Sequence, residues 1–177
     1  MTTTPIKPVL KMGEPLLFQR SQEVENIKDP QITQIIEEMI HTMKHTNGVG
    51  IAAPQIGYPR RIIAFGFDYA PRYPNEKPVP LTVLINPTFQ ALSDEMQEGW
   101  EGCLSIPGLR GFIPRFMHVA YQALDQSGNP MQAKLSGFPA RILQHECDHI
   151  DGWLFPCRIK NFKKFGFEDT LPEFRNR

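Results

Sequence analysis

The segment QHECDH, from Gln144 to His149, has two histidines four residues apart and a glutamate directly after the first. On a helix, this spacing places the rings of His145 and His149 on one face, one turn apart, where both can reach a single cation. Glu146 is offset from them by about a hundred degrees around the helix and is close enough to act as a general acid or base. The pattern therefore predicts a helix that carries a metal site with an acid/base group beside it.

Two histidines leave this site incomplete, because a catalytic metal of this kind usually has three protein ligands and one open position. The metalloproteases that continue HExxHxxGxxH are excluded, since Phe155 stands where their third histidine would be. Glu168 and Glu173 remain as the third ligand of a zinc endopeptidase, although both lie in a polar C-terminal segment. Cys103 in WEGCLSIPG is the other candidate, and this segment alone supports a ligand and a small residue in a turn equally. Complete coordination by protein atoms would instead indicate a structural zinc site.

The segment GVGIAAPQIG, residues 48–57, superficially matches a dinucleotide-binding fingerprint. The context excludes this interpretation, because the segment follows a helix instead of a strand and Pro54 interrupts the helix that would bind the phosphates. Its small residues still allow the backbone to approach a ligand closely, and the side-chain amide of Gln55 is a candidate oxyanion donor.

The other side chains near QHECDH divide between the two faces of its helix. Leu143, Cys147 and Ile150 form an apolar stripe on the side away from the two histidines. Cys147 is therefore predicted to pack in the core instead of binding metal. Arg141 precedes His145 by one turn and shares its face, where lining a substrate pocket and pairing with a carboxylate are equally supported.

Two helices are predicted among the elements that must position these residues. Residues 29–46 have Asp29 as N-cap, Pro30 at the first helical position and an apolar stripe made of Ile32, Ile35, Ile36, Met39, Ile40 and Met43. His41 and His45 fall opposite this stripe and are predicted to be exposed to solvent. The second helix runs from about residue 139 to residue 151 and carries the HExxH motif.

Strands are predicted for residues 61–67, 81–87 and 116–125, which are rich in β-branched and aromatic residues. A proline-rich loop separates the first two, and His118 in the third is predicted to have a structural or surface role. Strands followed by one late helix indicate an α+β fold, with a largely antiparallel β-sheet packed around a central C-terminal helix carrying HExxH.

The composition of the chain limits its organisation and its partners. Its 177 residues, 41% of them hydrophobic, predict a single catalytic domain over residues 1–177, with 161–177 as a polar C-terminal tail. Nineteen basic and nineteen acidic side chains cancel, which argues against direct nucleic-acid binding and against an anionic membrane as partner. No signal-like or membrane-spanning apolar run is found and the three cysteines are widely spaced, so we expect a cytoplasmic protein with free thiols.

Three segments, GVGIAAPQ, EGCLS and QHECDH, occur in this order and together resemble the three motifs of the peptide deformylases. The resemblance covers roughly residues 5–160 of the chain. It implies that the metal, natively Fe(II), is bound by Cys103, His145 and His149. It also implies that Glu146 is the acid/base, and that Gln55 and the backbone N–H of Leu104 stabilise the oxyanion.

The same resemblance implies a substrate, a set of binding residues and a cellular setting. The substrate would be the N-formylmethionyl end of a nascent peptide, deformylated with release of formate in a bacterial-type cytoplasm. The substrate-binding residues would be Val49, Gly50, Gly102, Arg141 and Ile142. Zn(II) or Ni(II) would replace iron readily in purified protein, because their affinity for such a site exceeds that of Fe(II). A monomer with transient ribosome contact is expected, although residues 161–177 lack the apolar periodicity of a docking helix.

The match to this family also has departures near the motifs. Gly99 and Trp100 precede EGCLS, and Arg141 occupies a position where many bacterial members have an aliphatic residue, so the methionine pocket is expected to differ in shape. A layer of charged residues that orients the metal ligands is a further hypothesis, and its members would be Glu101, Arg110, Arg115 and Asp148.

Overall fold

The computed structural model describes residues 5–174, which contain two α-helices and eight strands. The helices are α1, Pro30–His45, and α2, Phe138–Ile150. Short 3₁₀ helices occur at Pro15–Phe18, Ala53–Ile56, Phe155–Arg158 and Phe162–Lys164. Within these described residues, neither α-helix is long and apolar enough to cross a lipid bilayer.

The strands form two sheets. Their bounds are β1 Gly50–Ala52, β2 Ile62–Phe67, β3 Val79–Ala91, β4 Met96–Cys103, β5 Ile106–Phe116, β6 His118–Leu124, β7 Pro130–Ser136 and β8 Phe165–Phe167. The first sheet has the order β1-β2-β3-β6-β7 and the second has the order β4-β5-β8. Each pairing between these strands is antiparallel, which confirms the predicted α+β fold with a largely antiparallel sheet.

Helix α1 begins and ends where its sequence predicts. Asp29 caps its first turn, because its carboxylate accepts a hydrogen bond of 2.9 Å from the backbone N–H of Gln31. The apolar stripe of α1 is buried in a core cluster with residues of β1, β2 and β3. Asn47 adopts a left-handed backbone, with φ of 52°, just after the helix ends. His41 and His45 are exposed, in agreement with the prediction.

Helix α2 is buried on both of its faces. Leu143, Cys147 and Ile150 belong to a second core cluster together with residues of β2, β3 and β6. Burial raises the pKa of the Cys147 thiol, and the carboxylate of Asp151 raises it further. These contacts confirm that Cys147 packs in the core, and the opposite face of α2 is left for the two histidines.

The strands differ from the prediction in extent and in number. β2 agrees within one residue, β3 extends beyond 81–87 at both ends, and β6 begins at His118 because Phe116 belongs to β5. The sequence does not predict β1, β4, β5, β7 or β8. Glycines interrupt β4, glycines and prolines interrupt β5, and β7 is largely exposed, so none of these three shows the apolar alternation typical of a strand.

The C-terminal segment differs from the polar tail that its composition predicts. β8 pairs with β5, with Phe167 opposite Leu109. Leu171 and Phe174 are buried farther along the segment, so residues 165–174 pack on the domain. The buried side chain of Arg110 provides the anchor, because its guanidinium forms an ion pair with Glu168 at 3.0 Å. Residues 175–177 of the predicted tail lie outside the described residues.

Candidate active site

A group of three buried side chains forms the centre of the candidate site. Cys103 is the last residue of β4, and His145 and His149 project from one face of α2. One potential ligand atom from each residue lies within 4.8 Å of the others, and Cys103 Sγ is 3.2 Å from His149 Nε2. The helical spacing and the sheet thus bring a sulfur and two imidazoles together, although Cys103 is distant from both histidines in the sequence.

The chemistry of these donors fits a divalent transition metal. Burial raises the pKa of the Cys103 thiol, but the rings of His149 and His145 lower it by more, so its pKa lies well below the usual value. Transition-metal ions bind well to a thiolate and two imidazoles, whereas magnesium and calcium prefer oxygen ligands. A bound dication would replace the protons that these groups otherwise share. The Cys103 assignment is therefore favoured over a small apolar turn residue.

A layer of charged side chains lies behind the ligands. Glu101 Oε2 is 2.9 Å from His145 Nδ1, which leaves the other ring nitrogen of His145 for the metal. Arg115 donates to both carboxylate oxygens of Glu101, at 2.9 and 3.0 Å, and to Asp148 at 2.5 Å. Burial raises the pKa of Glu101, but Arg115 and His145 lower it by more, so Glu101 stays ionised. On the solvent side of this layer, Arg158 Nη2 forms an ion pair with Asp148 Oδ1 at 2.6 Å.

Arg110 does not belong to this charged layer, in contrast to the hypothesis from the sequence. Its Nη1 donates to the hydroxyl of Tyr73 at 3.1 Å and its Nη2 to Glu168 at 3.0 Å. The guanidinium also lies over the rings of Tyr73 and Phe174. Arg110 therefore joins the loop before β3 to the C-terminal segment, and it makes no contact of this kind with Glu101 or Asp148 in the described residues.

Glu146 faces the same cavity as the ligands. Burial raises its pKa to about 7, and its Oε2 has no hydrogen-bond partner within the described protein. A buried carboxyl group without a partner is suited to exchange protons with a molecule that enters the cavity. Gly50 on β1 makes room for this side chain, since a Cβ at residue 50 would overlap Glu146 Oε1 and lie 2.9 Å from Ile142.

The side-chain amide of Gln55 is held in one orientation. Its Oε1 accepts a hydrogen bond from the backbone N–H of Ala52 at 2.8 Å. Its Nε2 then points to the ligand group, donating to Ser105 Oγ at 3.1 Å and to Cys103 Sγ at 3.6 Å. Leu104 lies in the turn that follows Cys103, and its carbonyl accepts from Lys11 Nζ at 2.9 Å. Gln55 and Leu104 thus both border the cavity beside Cys103.

One cavity collects nearly all of the residues that the sequence singles out. Its lining includes Val49, Gly50, Gln55, Gly102, Cys103, Leu104, Arg141, Ile142, His145 and Glu146. His149 completes the ligand group without bordering the cavity. Sequence reasoning missed Arg72, Tyr73 and Phe138, which also line it. Arg72 and Tyr73 belong to the proline-rich loop, where no pattern indicates which side chains turn inward.

Arg141 combines the two roles that the sequence left open. Its Nη1 donates to Glu101 Oε1 and to the carbonyl of Ile113, both at 2.8 Å, and its Nη2 donates to the carbonyl of Gln97 at 2.6 Å. It lines the cavity at the same time. Gly99 is matched to it, because a Cβ at residue 99 would lie 2.9 Å from the guanidinium carbon. The fixed arginine therefore fills space that a larger residue at position 99 would take.

The cavity lies between the edges of the two sheets. β1 is the edge strand of the first sheet and contributes Gly50, and β4 is an edge strand of the second and contributes Gly102 and Cys103. An extended chain can add to a free strand edge through backbone hydrogen bonds, and here it would carry one of its amides to the metal ligands and Glu146. The potential metal donors, the buried carboxyl group of Glu146 and the two strand edges fit the class of metal-dependent hydrolases that act on amide bonds of peptides.

The family model described as Polypeptide deformylase matches residues 6–165. The chain therefore belongs to the polypeptide deformylases, hydrolases that remove the N-formyl group from the N-terminus of newly made proteins. Peptide deformylase 1 of Nitrosomonas europaea is 48% identical over 166 residues, which are 94% of each chain. Peptide deformylase 2 of Pseudomonas putida is 45% identical and also covers 94% of each chain.

Solved structures of the family have the same fold. The Met-Ala-Ser-bound class I type b peptide deformylase from Acinetobacter baumannii has a TM-score of 0.85 and 38% identity, covering 89% of this chain and 100% of that one. The actinonin complex of the peptide deformylase from Synechococcus elongatus has a TM-score of 0.80 and 32% identity, covering 93% of this chain and 84% of that one.

These findings exclude the zinc endopeptidase alternative. Glu168 is engaged with Arg110, and Glu173 is exposed, so among the described residues neither joins the group that could hold a metal. The described group that could hold a metal takes its third potential donor from β4, the sulfur of Cys103, and the relatives are deformylases over nearly the whole chain.

Proposed function

We propose that the chain deformylates N-formylmethionyl peptides with Cys103, His145 and His149 as ligands of Fe(II) and with Glu146 as the acid/base. The proposal rests on the grouping of Cys103, His145 and His149 and on the position of Glu146 in the cavity that Cys103 and His145 also line. Fe(II), when bound, would supply Lewis acidity toward the formyl carbonyl and toward water in the site. The thiolate moderates the positive charge of the ion but keeps it a divalent Lewis acid.

Glu146 is proposed to move the proton in both halves of the reaction. It takes a proton from the water that attacks the formyl carbon, and a tetrahedral oxyanion forms. Gln55 Nε2 and the backbone N–H of Leu104 donate hydrogen bonds to this oxyanion. Glu146 then gives the proton to the leaving amine as the C–N bond breaks. The second proton of the attacking water is then lost from formic acid and taken up by the amine, so formate and a protonated free N-terminus result and atoms and charge balance.

The substrate is proposed to bind as an added strand. Gly50 of β1 and Gly102 of β4 support this placement, since both border the cavity and both belong to edge strands. The backbone N–H of Gly102 contacts the hydroxyl of Tyr73 at 3.4 Å, a long hydrogen bond that a substrate carbonyl would replace. The methionine side chain would occupy the part of the cavity near Arg141 and Ile142. Met-Ala-Ser, which is bound in the relative from Acinetobacter baumannii, is a peptide of the kind that this reaction releases.

The cellular setting is also part of the proposal. The bacterial relatives and the equal numbers of acidic and basic residues support a cytoplasmic enzyme that acts on nascent peptides without binding nucleic acid. We infer a monomer that works as a single catalytic domain over residues 1–177. Any ribosome contact would be transient, since residues 165–174 pack against the second sheet and do not extend as a docking helix.

Metal exchange tests the function and the identity of the metal together. If Fe(II) is the working ion, protein reconstituted anaerobically with Fe(II) is expected to release formate from formyl-Met peptides faster than the same protein loaded with Zn(II). The tighter binding of zinc decides which metal is retained and not which one is faster. The measurement is formate release per metal-containing site. Equal turnover by the two forms would contradict the assignment of iron.

Two controls separate the function from the metal assignment. Cys103→Ser is expected to lose most bound metal and most formate release, since the sulfur ligand is gone. Cys157→Ser is a matched variant, because Cys157 is exposed and lies outside the ligand group. Cleavage of unformylated peptides at internal bonds, without formate from formylated ones, would contradict the proposed reaction itself.

The amide of Gln55 gives a sharper test of the oxyanion contact. Gln55→Ala removes one donor and is expected to lower kcat by a factor of about 10²–10³ with bound metal unchanged. KM for a formyl-Met peptide should change little, because the donor acts chiefly on charge that develops in the transition state. Gln132→Ala on the exposed face of β7 is the matched control. Turnover near that of the wild type at equal metal content would rule out this role.

A further inference from the structure

Arg72 has no assigned role, yet it lies at the rim of the site. It belongs to the loop between β2 and β3 and lines both the cavity of the metal ligands and two adjoining grooves. Its guanidinium packs directly against Gly102, since a Cβ at residue 102 would lie 2.6 Å from Arg72 Nη2. Among residues 5–174, no hydrogen bond or ion pair involves this half-buried guanidinium. A cation partly removed from water without a partner is suited to bind an anion.

The other charges around Gly102 also favour the binding of an anion. Arg110 Nη1 would lie 3.0 Å from the same Cβ, so two guanidinium groups crowd one backbone position. Glu168 neutralises only one of them, because it forms its ion pair with Arg110 at 3.0 Å. Lys11 borders the groove that Arg72 and Glu168 share, and it adds another positive charge. On the side of Arg72 that borders Lys11, three cations, Arg72, Arg110 and Lys11, thus lie near one carboxylate, that of Glu168. A further carboxylate would be attracted to this side.

Two other carboxylates lie near Arg72 but do not pair with it. Glu76 and Glu98 border the groove on the opposite side of Arg72 from the metal ligands. Neither forms an ion pair with it, and both are exposed to solvent. In this structure the guanidinium of Arg72 is therefore open to a carboxylate from a bound molecule.

The substrate is the molecule that brings such a group to Gly102. Gly102 directly precedes the proposed ligand Cys103, and an extended peptide advances about 3.3–3.6 Å per residue away from the reacting amide. We propose that Arg72 binds a carboxylate of the substrate, carried by an acidic side chain two or three residues from the N-terminus or by the C-terminus of a short peptide. The planar guanidinium matches a carboxylate with two parallel hydrogen bonds. This subsite rests on the proposed function, because it assumes that the formyl group lies at the metal ligands.

The test compares peptides that differ only in the charge of one group. The position of the acidic side chain is tested with two series of peptide amides, formyl-Met-X-Ala-Ala and formyl-Met-Ala-X-Ala, in which X is Asp, Asn or Lys. The contribution of the C-terminus is tested with formyl-Met-Ala-Ser as the free acid and as the amide. At the position that Arg72 contacts, the wild type is expected to have about fivefold higher kcat/KM for the peptide with the carboxylate than for its neutral partner, through a lower KM. Arg72→Gln should reduce this ratio to about one, and Arg72→Glu should reverse it in favour of Lys.

Controls distinguish a specific contact from a general effect of charge or stability. Arg60→Gln removes a cation that donates to Gln22 on another part of the surface, and it should retain the wild-type preference. Rising ionic strength should weaken the preference of the wild type but change nothing in Arg72→Gln. Equal rates for charged and neutral peptides in the wild type, or an unchanged preference in Arg72→Gln, would overturn the subsite and leave deformylation standing. Absence of formate from all formylated peptides would overturn the proposed function and the subsite with it.

Discussion

Replacing Glu146 with glutamine is expected to lower kcat for formate release by a factor of about 10²–10⁴ while the metal content stays unchanged. Glutamine keeps the size of the side chain and fits beside Gly50, where no larger group is accommodated. It cannot take a proton from water or return one to the leaving amine. Because Glu146 Oε2 makes no hydrogen bond within the described protein, the loss of charge breaks no structural contact at that atom.

The measurement requires turnover, metal content and stability from the same preparations. Glu37→Gln is the matched control, because Glu37 is exposed on α1 and far from the cavity. Glu146→Asp adds a second variant that keeps the carboxyl group but withdraws it by one methylene, and its kcat should fall between those of the wild type and Glu146→Gln. A Glu146→Gln enzyme that retains more than about a tenth of wild-type kcat at equal metal content would exclude Glu146 as the proton carrier.

The helical part of the site follows from local sequence. A helix repeats every 3.6 residues, so the spacing of His145 and His149 and the apolar stripe of Leu143, Cys147 and Ile150 determine both faces of α2. The structure agrees, with α2 at Phe138–Ile150. The same holds for α1, where the N-cap Asp29 and the stripe locate both the ends and the buried face.

The third ligand depends on tertiary structure that local patterns do not contain. Cys103 reaches the histidines only because β4 runs along the site. The first three residues of β4 are exposed and glycines interrupt it, so its sequence resembles a loop. Spacing alone left Cys103 undecided between ligand and turn residue, and the resemblance of three motifs favoured the ligand. Patterns of one or two residues do not show which strand edge faces a given helix.

The loop and the C-terminal segment show the same limit. Arg72, Tyr73 and Glu168 lie in polar, proline-containing sequence, and such composition is typical of exposed connections. The positions of Tyr73 and Glu168 follow from Arg110, whose buried guanidinium contacts the hydroxyl of Tyr73 and the carboxylate of Glu168. A single buried arginine thus orders two segments that have no periodic pattern of their own.

Arg115→Met is expected to reduce the free energy of unfolding by about 3 kcal/mol, the largest effect on stability among these variants. Methionine fills similar volume, but Glu101 and Asp148 would lose the buried guanidinium that neutralises them. The reduction stays near the lower end of the range for a broken buried ion pair, because Glu101 keeps Arg141 and Asp148 keeps Arg158. Urea denaturation of the metal-loaded protein measures the change.

The same variant tests whether the charged layer orients a metal ligand. Glu101 holds His145 through Nδ1, so a carboxylate released from Arg115 should let the ring rotate and lower the affinity for metal by about 10- to 100-fold, measured by competition with a chelator. Arg158→Met is the matched control, since Arg158 contacts the same Asp148 but is 46% exposed, and it should cost less than about 1 kcal/mol. Equal changes in stability and metal affinity for Arg115→Met and Arg158→Met would contradict the expectation that the buried arginine contributes more than the exposed one. A loss confined to stability would mean that Arg141 alone holds Glu101 well enough to orient His145.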